Sequence, residues 1–197
     1  EKLRSTLYTV QPQEEQTVAR ALAGDAAAFG DLYERYLDDI YQYVYYRVNS
    51  REEAEDLSEM VFLRAWSALD ENPPREAPFL LWLYRIARNT VVDHYRARTD
   101  RVGLEAAAHI PDPVDGPEEM ATCQESIAEL RRAMRQLSET HQEVLIYRFI
   151  IGLSHAETAL VMTRSEQAVR ALQYRAIVVL RSLLQHRLFQ IEEGSYV

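Results

Sequence analysis

Apolar side chains recur at spacings of three and four residues along most of the first hundred positions of the chain. The longest run, residues 26–48, keeps this spacing for about six turns and predicts an amphipathic helix. Its apolar positions are Phe29, Leu32, Tyr33, Tyr36, Leu37, Ile40, Tyr41, Val44 and Val48. A shorter helix is predicted before it, from Gln13 to about Gly24. The chain is therefore expected to open with two helices.

Two further helices are predicted before residue 99. Ser50, with Glu53 three residues later, forms a capping-box pattern that starts the first of them, and Pro73 and Pro74 end it. Its apolar face comprises Ala54, Leu57, Val61, Phe62, Ala65, Trp66 and Leu69. The second runs from Phe79 to about Arg98, and its packing stripe comprises Leu80, Leu83, Ile86, Ala87 and Val91. We expect Trp66 in the core, whereas Trp82 fits either the core or a contact surface.

The helical pattern stops after residue 98. The residues that interrupt it are Gly103, Pro111, Pro113, Gly116 and Pro117, with acidic residues and alanines between them. The sequence therefore predicts an all-α protein with two small helical domains joined by a flexible acidic linker. The predicted boundaries are 13–98 for the first domain, 99–117 for the linker, 118–187 for the second domain and 188–197 for a C-terminal tail.

The second domain begins with predicted helices near 118–137 and 139–150. Ser138 caps the second of these, and Gly152 suits a left-handed residue at its end. A second capping box, Ser154 with Glu157, starts a short helix that ends at Met162. Ser165 caps a last helix that runs to about His186. No strand is predicted.

The last two helices have the pattern of a helix-turn-helix: a short helix, a tight turn and a longer helix with polar residues outward near its start. The outward face of the longer helix carries Gln167, Arg170, Ala171, Gln173, Tyr174 and Arg175. Arginine can donate two hydrogen bonds to guanine, and glutamine can pair with adenine. A helical hairpin whose polar face is only solvated fits the same pattern, so the motif needs support from the rest of the chain.

The net charge of −9 conceals an uneven distribution. Residues 14–71 hold 14 acidic residues against 5 arginines, and residues 102–125 hold 6 acidic residues and no basic one. Residues 85–101 hold 5 arginines against 2 aspartates, and residues 126–187 hold 9 arginines against 5 glutamates. The two arginine-rich regions suit nucleic acid, and the acidic region suits a basic protein surface.

The sequence lacks the motifs that are typical of several function classes. The chain has one cysteine, Cys123, so it forms no internal disulfide. No apolar run approaches the roughly 18 residues of a membrane span. Neither a glycine-rich phosphate loop nor an HExxH motif is present, and the five histidines are scattered. We therefore expect a protein that is not an enzyme and holds no metal or cofactor.

Both halves of the chain resemble one family. The residues that carry the resemblance in the first half are Glu55-Asp56-Leu57, Phe62-Leu63-Arg64-Ala65-Trp66, the run Trp82–Thr90 and Asp93. In the second half they are Leu137-Ser138, Gly152-Leu153-Ser154, Glu157, Ala168-Val169, Arg175-Ala176 and Leu180. In order, spacing and the intervening linker they resemble the extracytoplasmic-function (group IV) sigma factors of bacterial RNA polymerase, over about residues 14–187.

The single cysteine makes a reducing cytoplasm the simplest compartment for the protein. The resemblance implies a protein that binds core RNA polymerase, recognises the −35 and −10 promoter elements and helps to open the duplex. An anti-sigma factor is an expected further partner. The implied polymerase contacts are Glu55, Asp56, Leu57, Glu59 and Phe62. The implied −10 contacts are Phe79, Trp82, Arg85, Asn89 and Arg96. The implied −35 contacts are Ser165, Gln167, Arg170, Ala171, Tyr174 and Arg175.

Two positions depart from the family pattern. Ser58-Glu59-Met60 follows the Asp-Leu pair, where the family usually has a Gln-Glu pair. Thr163 follows Met162, where the family often has glycine; since a β-branched residue tolerates positive φ poorly, we expect a different turn. The alternative function is a stand-alone helix-turn-helix regulator whose first domain senses a ligand or dimerises. Such a regulator would bind a promoter duplex without polymerase.

Overall fold

The structure is a computed structural model that describes residues 12–48, 50–74, 77–101 and 121–194. Within these ranges the chain forms α-helices and one π-helical segment, and no strand, so the all-α prediction is confirmed. The first four helices are α1 Pro12–Leu22, α2 Ala26–Val48, α3 Arg51–Ala68 and α4 Phe79–Arg101. The others are α5 Ala121–Arg135, α6 Glu139–Leu145, α7 His155–Met162 and α8 Glu166–Gly194, and the π-helical segment Ile146–Ile151 continues α6.

Serine side chains cap the helices where the sequence predicted them. The hydroxyls of Ser50 and Ser138 each accept a hydrogen bond of 3.4 Å from the backbone N–H three residues later. Ser165 does the same at 3.2 Å at the start of α8. Ser154 and Glu157 form a complete capping box, because the Glu157 carboxylate also accepts from the Ser154 N–H at 2.7 Å. These predicted helix starts are confirmed.

The first four helices enclose a core of aliphatic and aromatic side chains. Helices α2, α3 and α4 pack against one another, and α1 packs on α2. Fully buried residues include Leu32, Ile40, Val44, Val61, Leu80, Leu83 and Val91. Each such side chain contributes about 1.5–3 kcal/mol by leaving water. Apart from Trp66, the predicted stripes of all three long helices therefore point into one core.

The two groups of helices are in contact with each other, an arrangement that the sequence left open. Tyr147 of the π-helical segment stacks on Tyr43 of α2 at 5.0 Å between ring centroids, and it meets Tyr84 of α4 edge-on at 5.9 Å. All three rings are fully buried, and burial raises the pKa of Tyr43 to about 12. Beside them, Arg88 Nε lies 2.9 Å from Oε1 of the buried Glu143. A buried aromatic cluster and an ion pair thus join the domains.

The largest differences from the predicted helix boundaries are in the helix 139–150 and at the ends of α4 and α8. The predicted helix 139–150 changes to π geometry at Ile146, and this turns Tyr147 inward while Phe149 stays 60% exposed. Because every position of 144–146 and 149–151 is apolar, the sequence has no period that could reveal the change. Helices α4 and α8 extend beyond their predicted ends, to Arg101 and Gly194. Residues 102–117 of the predicted linker, and residues 118–120 of the next predicted helix, lie outside the described residues.

The prediction that Trp66 lies in the core is wrong. Trp66 is 39% exposed, near the end of α3. One side of its indole packs against Phe29 of α2, with 4.9 Å between ring centroids. Helical spacing correctly put Trp66 on the side of α3 that faces α2. The other side of the indole is exposed, because none of the helices that the structure describes covers it.

Candidate nucleic-acid interface

The turn between α7 and α8 is a tight helix-turn-helix connection. Thr163 adopts φ 54° and ψ 50°, so the prediction that this β-branched residue would change the turn is wrong. The backbone N–H of Arg164 donates to the Ala159 carbonyl at 2.9 Å and closes the end of α7. The hydrogen bonds of the turn and the cap at Ser165 hold the conformation that glycine would adopt more easily.

Helix α8 presents a polar face that points away from the core. The residues predicted to contact the −35 element are all exposed: Ser165, Gln167, Arg170, Ala171, Tyr174 and Arg175. Buried Val169, Leu172 and Ala176 anchor the opposite face of the helix. Arg170 forms an ion pair with Glu166 one turn earlier. The exposed side chains offer the donors and acceptors that read base edges in a major groove.

The residues predicted to contact the −10 element divide into two groups. Arg85, Asn89 and Arg96 are exposed on α4. Phe79 and Trp82 are buried, with 2% and 7% of their surfaces exposed, and their rings lie 5.3 Å apart. The Trp82 Nε1–H donates to the Asn72 carbonyl at 2.9 Å, so this indole holds the loop before α4.

A polar cavity of about 590 Å³ lies between that loop and α4. Its lining residues are Ala68, Glu71, Asn72, Pro73, Trp82, Arg85, Ile86 and Asn89. The lining supplies aromatic surface from Trp82 and hydrogen-bonding groups from Asn72, Arg85 and Asn89. Stacking surface beside such groups is what binds a base that has left its duplex.

Helix α3 carries the residues predicted to contact polymerase. Its acidic side chains Glu55, Asp56 and Glu59 are exposed. Leu57 and Phe62 are buried, with 9% and 3% exposed, and belong to the core. The atypical Ser58 is buried as well, and its hydroxyl donates to the Ala54 carbonyl at 2.6 Å.

Sequence reasoning missed two exposed apolar residues on the same helix. Met60 and Leu63 are 44% and 64% exposed. Leu63 lines an apolar cavity of about 450 Å³ together with Phe29, Tyr33 and Trp66. The sequence could have revealed these two residues, because positions 56, 59, 60 and 63 follow one another at helical spacing and therefore share the outward face of the helix. The exposed face of α3 is therefore acidic and apolar together.

A second apolar groove, of about 400 Å³, lies on the second domain. Phe149 and Ile150 of the π-helical segment, Leu130 of α5 and Ile177 of α8 line it, and Tyr46 of α2 completes it from the first domain. Arg131 and Arg135 also belong to its lining. The groove thus combines an apolar floor with positive charge.

Among the residues that the structure describes, no group of three or more histidine, cysteine, aspartate or glutamate side chains is placed to hold a metal ion. None of the helices in those ranges has the length and apolar character needed to cross a membrane.

Two family profiles match the chain and together cover more than half of it. Sigma-70 region 2 matches residues 32–101, which include α3, α4 and the cavity between α4 and its preceding loop. Sigma-70 region 4 matches residues 133–182, which include the helix-turn-helix.

Individual relatives agree with the profiles. The ECF RNA polymerase sigma factor BldN of Streptomyces coelicolor is 40% identical over 86% of this chain, which spans 65% of BldN, slightly under two thirds of its length. SigD of Mycobacterium tuberculosis, also an ECF RNA polymerase sigma factor, is 34% identical over 81% of this chain and 78% of its own.

Solved structures show the same fold. CnrH in complex with the cytosolic domain of CnrY is 27% identical, with a TM-score of 0.65 over 87% of this chain and 96% of that one. The sigma factor RpoE of Bartonella quintana, in complex with the anti-sigma factor NepR, is 21% identical with a TM-score of 0.60, over 80% and 96% of the two chains. With both regions matched in order by profiles and by relatives, the chain belongs to the sigma-70 family of transcription initiation factors, as an ECF sigma factor.

Proposed function

We propose that this sigma factor directs RNA polymerase to its promoters by presenting α8 to the −35 element and α4 to the −10 element. The exposed polar face of α8, on an intact helix-turn-helix, is the observation that carries this proposal. We assign −35 recognition to a second domain at 118–187, and polymerase binding and −10 recognition to a first domain at 13–98. The factor itself has no catalytic role in this proposal, and it acts in the cytoplasm, where bacterial RNA polymerase meets promoter DNA.

At the −35 element, α8 lies in the major groove. Arg170 and Gln167 supply hydrogen bonds to base edges, while Ala171 and Tyr174 contact thymine methyl groups. Arg175 and the Ser165 cap lie at positions suited to backbone phosphates. The Arg170–Glu166 ion pair is exposed and weak, so Arg170 can exchange it for a base.

At the −10 element, the cavity beside α4 takes one unstacked base. Trp82 provides a wall for stacking, and Arg85 and Asn89 bind the edge of the base. Phe79 supports Trp82 from the core side, and its own contact with DNA stays a prediction. Arg96, two turns beyond Asn89, contacts the backbone of the same strand.

The polymerase contact lies on the acidic and apolar face of α3. Glu55, Asp56 and Glu59 provide charge for a basic partner surface, and Met60 and Leu63 provide apolar area at the same place. Leu57 and Phe62 act from the core by fixing the orientation of the helix.

An anti-sigma factor is a further partner in this proposal. CnrH and the Bartonella quintana RpoE were both solved with a protein bound, CnrY and the anti-sigma factor NepR respectively. The groove that Tyr46 shares with Phe149 and Ile150 offers an apolar floor for such a partner, and Arg131 and Arg135 favour acidic residues beside its apolar face.

Reconstituted transcription tests the function. Core polymerase is incubated with a library of promoter fragments, with and without the protein, and transcripts are sequenced. Initiation that requires the protein is expected, and the enriched fragments define both elements. Tight duplex binding without polymerase, together with no initiation, would favour the stand-alone regulator instead.

A further inference from the structure

A cluster of basic side chains lies where the π-helical segment, α7 and α8 meet. Nε of Arg148, in the π-helical segment, donates a hydrogen bond of 3.1 Å to Oε1 of Gln173 on α8. His155, the first residue of α7, lies close enough to Gln173 and Arg148 for both to act on its pKa. Arg148 and His155 are each half-buried, and the Gln173 amide fixes the Arg148 side chain. Arg148 and His155 therefore lie near each other at the surface of the helix-turn-helix.

Among the described residues, the hydrogen-bond partner of Arg148 in this cluster is a neutral amide and not a carboxylate. Arg170 of α8 lies close enough to act on both Arg148 and His155. Two carboxylates partly offset this charge: Glu157, which accepts the Ser154 N–H at 2.7 Å, acts on Arg148, and Glu166, which pairs with Arg170, acts on His155. Helix α4, which also packs on α7, brings Arg88, but that guanidinium is bound by Glu143. The cluster is thus suited to an anion.

The place of the cluster on the motif identifies that anion. In a helix-turn-helix the first helix crosses the DNA backbone while the second enters the major groove. His155 starts the first helix, and Arg170 lies on the reading face of the second. A DNA strand that passes over α7 therefore brings a phosphate to Arg148 and His155.

We propose that Arg148 and His155 hold one backbone phosphate at the edge of the −35 element, and that the His155 imidazole takes up a proton as this phosphate binds. The proposal rests on the proposed role of α8 in −35 recognition. It makes promoter binding by this sigma factor dependent on pH through a single histidine.

The direction of the dependence follows from the charges around the ring. Burial, Arg148 and Arg170 lower the pKa of His155 in the free protein, against the opposing effects of Gln173 and Glu166. The ring is therefore mostly neutral at pH 7. A bound phosphate offsets the two guanidinium groups, so the pKa of His155 rises in the complex. Affinity is then highest below the pKa of the free protein and falls as pH rises through the pKa of the complex.

Binding of holoenzyme to a promoter recovered by the transcription assay tests this linkage. Affinity is measured by fluorescence anisotropy from about pH 5.5 to pH 8 at constant ionic strength, a range that brackets histidine titration. Since one unit of pKa difference corresponds to about tenfold in affinity, we expect the wild-type protein to lose about threefold to tenfold more affinity over this range than His155→Gln. The control His141→Gln, which replaces a histidine of α6, should keep the wild-type dependence. Equal pH dependence in wild type and His155→Gln would overturn the proposal.

The salt dependence of binding tests Arg148 separately. Arg148→Gln should weaken binding to all promoters alike and reduce the slope of log affinity against log salt by about 1, as for one lost phosphate contact. An unchanged slope would remove Arg148 from the interface. If the wild-type protein fails to initiate transcription at all, the proposed function fails, and that result is distinct from either outcome at this cluster.

The source of the phosphate is tested by NMR. The pKa of the His155 ring is measured in the full chain alone, with a promoter duplex, and with inorganic phosphate at the same phosphate concentration. The duplex is present at about millimolar concentration, at which even the weak binding expected without polymerase is populated. The duplex should raise this pKa, and inorganic phosphate should leave it unchanged. An equal rise with inorganic phosphate would make the cluster a general anion site and overturn its assignment to the DNA backbone.

Discussion

The two helices proposed to read DNA differ in how much of each is buried. Helix α8 packs on its inner side, and all six of its predicted −35 residues are exposed. Helix α4 lies among α2, α3 and α7, and two of its five predicted −10 residues, Phe79 and Trp82, are buried. A peripheral helix can present its whole polar face to DNA, whereas a helix in the centre of the fold leaves only a narrow strip of its surface accessible. Substitutions at the predicted −35 residues of α8 should therefore affect DNA binding alone, and substitutions at the predicted −10 residues of α4 should affect folding as well.

The largest expected effect is that of Trp82→Ala. Removing a 7% exposed indole that donates to the Asn72 carbonyl should lower the free energy of unfolding by about 3–5 kcal/mol. The matched variant Tyr174→Ala, at a residue 71% exposed on α8, should change it by less than about 0.5 kcal/mol. Urea denaturation measures both values. Similar stabilities for the two variants would contradict the contrast between the helices.

Glu143→Gln tests how much of the burial of α4 depends on the second domain. The substitution replaces the charged partner of Arg88 at a 2% exposed site, and should lower the free energy of unfolding by about 1–3 kcal/mol. Small-angle X-ray scattering should show a larger radius of gyration as the domains separate.

The control for this prediction is Asp93→Asn. It breaks the exposed Arg64–Asp93 pair within the first domain, where the side chains are 43% and 52% exposed, and should cost less than about 1 kcal/mol. An equal loss of stability in the two variants would show that the buried Arg88–Glu143 pair stabilises the protein no more than an exposed pair within one domain.

The contrast between the two helices also explains which residues the sequence placed correctly. In α8, the polar face predicted from helical spacing is the exposed face, because no other part of the described chain packs on that side of the helix. In α4, Phe79 and Trp82 precede or interrupt the apolar stripe, and their burial depends on Asn72 and on the loop before the helix. The spacing of apolar residues within a helix carries no information about a loop that packs against that helix. The same applies to Tyr43, Tyr84 and Tyr147, whose common cluster depends on contact between the domains.

Arg170→Ala and Asn89→Ala test the functional side of the comparison. Arg170→Ala should weaken use of promoters with the recovered −35 element by about 1–3 kcal/mol, the value of a bidentate base contact, and leave stability unchanged. Asn89→Ala should reduce initiation through the −10 element. Transcription from promoters altered at one element at a time measures both effects. An equal loss on all −35 sequences would make Arg170 a phosphate contact, and unchanged initiation would remove Asn89 from the −10 site.

The smallest expected effect concerns the turn before α8. Thr163 holds φ at 54°, a conformation that costs a residue with a β-carbon about 1–2 kcal/mol. Thr163→Gly removes this strain but gives the unfolded chain more freedom, so we expect a net gain in stability of about 0.5–1 kcal/mol. For a chain of this size, such a gain raises Tm by about 1–4 °C, which calorimetry can resolve. Gly152→Ala, at φ 84°, should lower Tm, because it places a β-carbon where the chain now avoids one. A lower Tm for Thr163→Gly would contradict this prediction. It would show that contacts of the Thr163 side chain stabilise the turn before α8 by more than the strain at φ 54° costs.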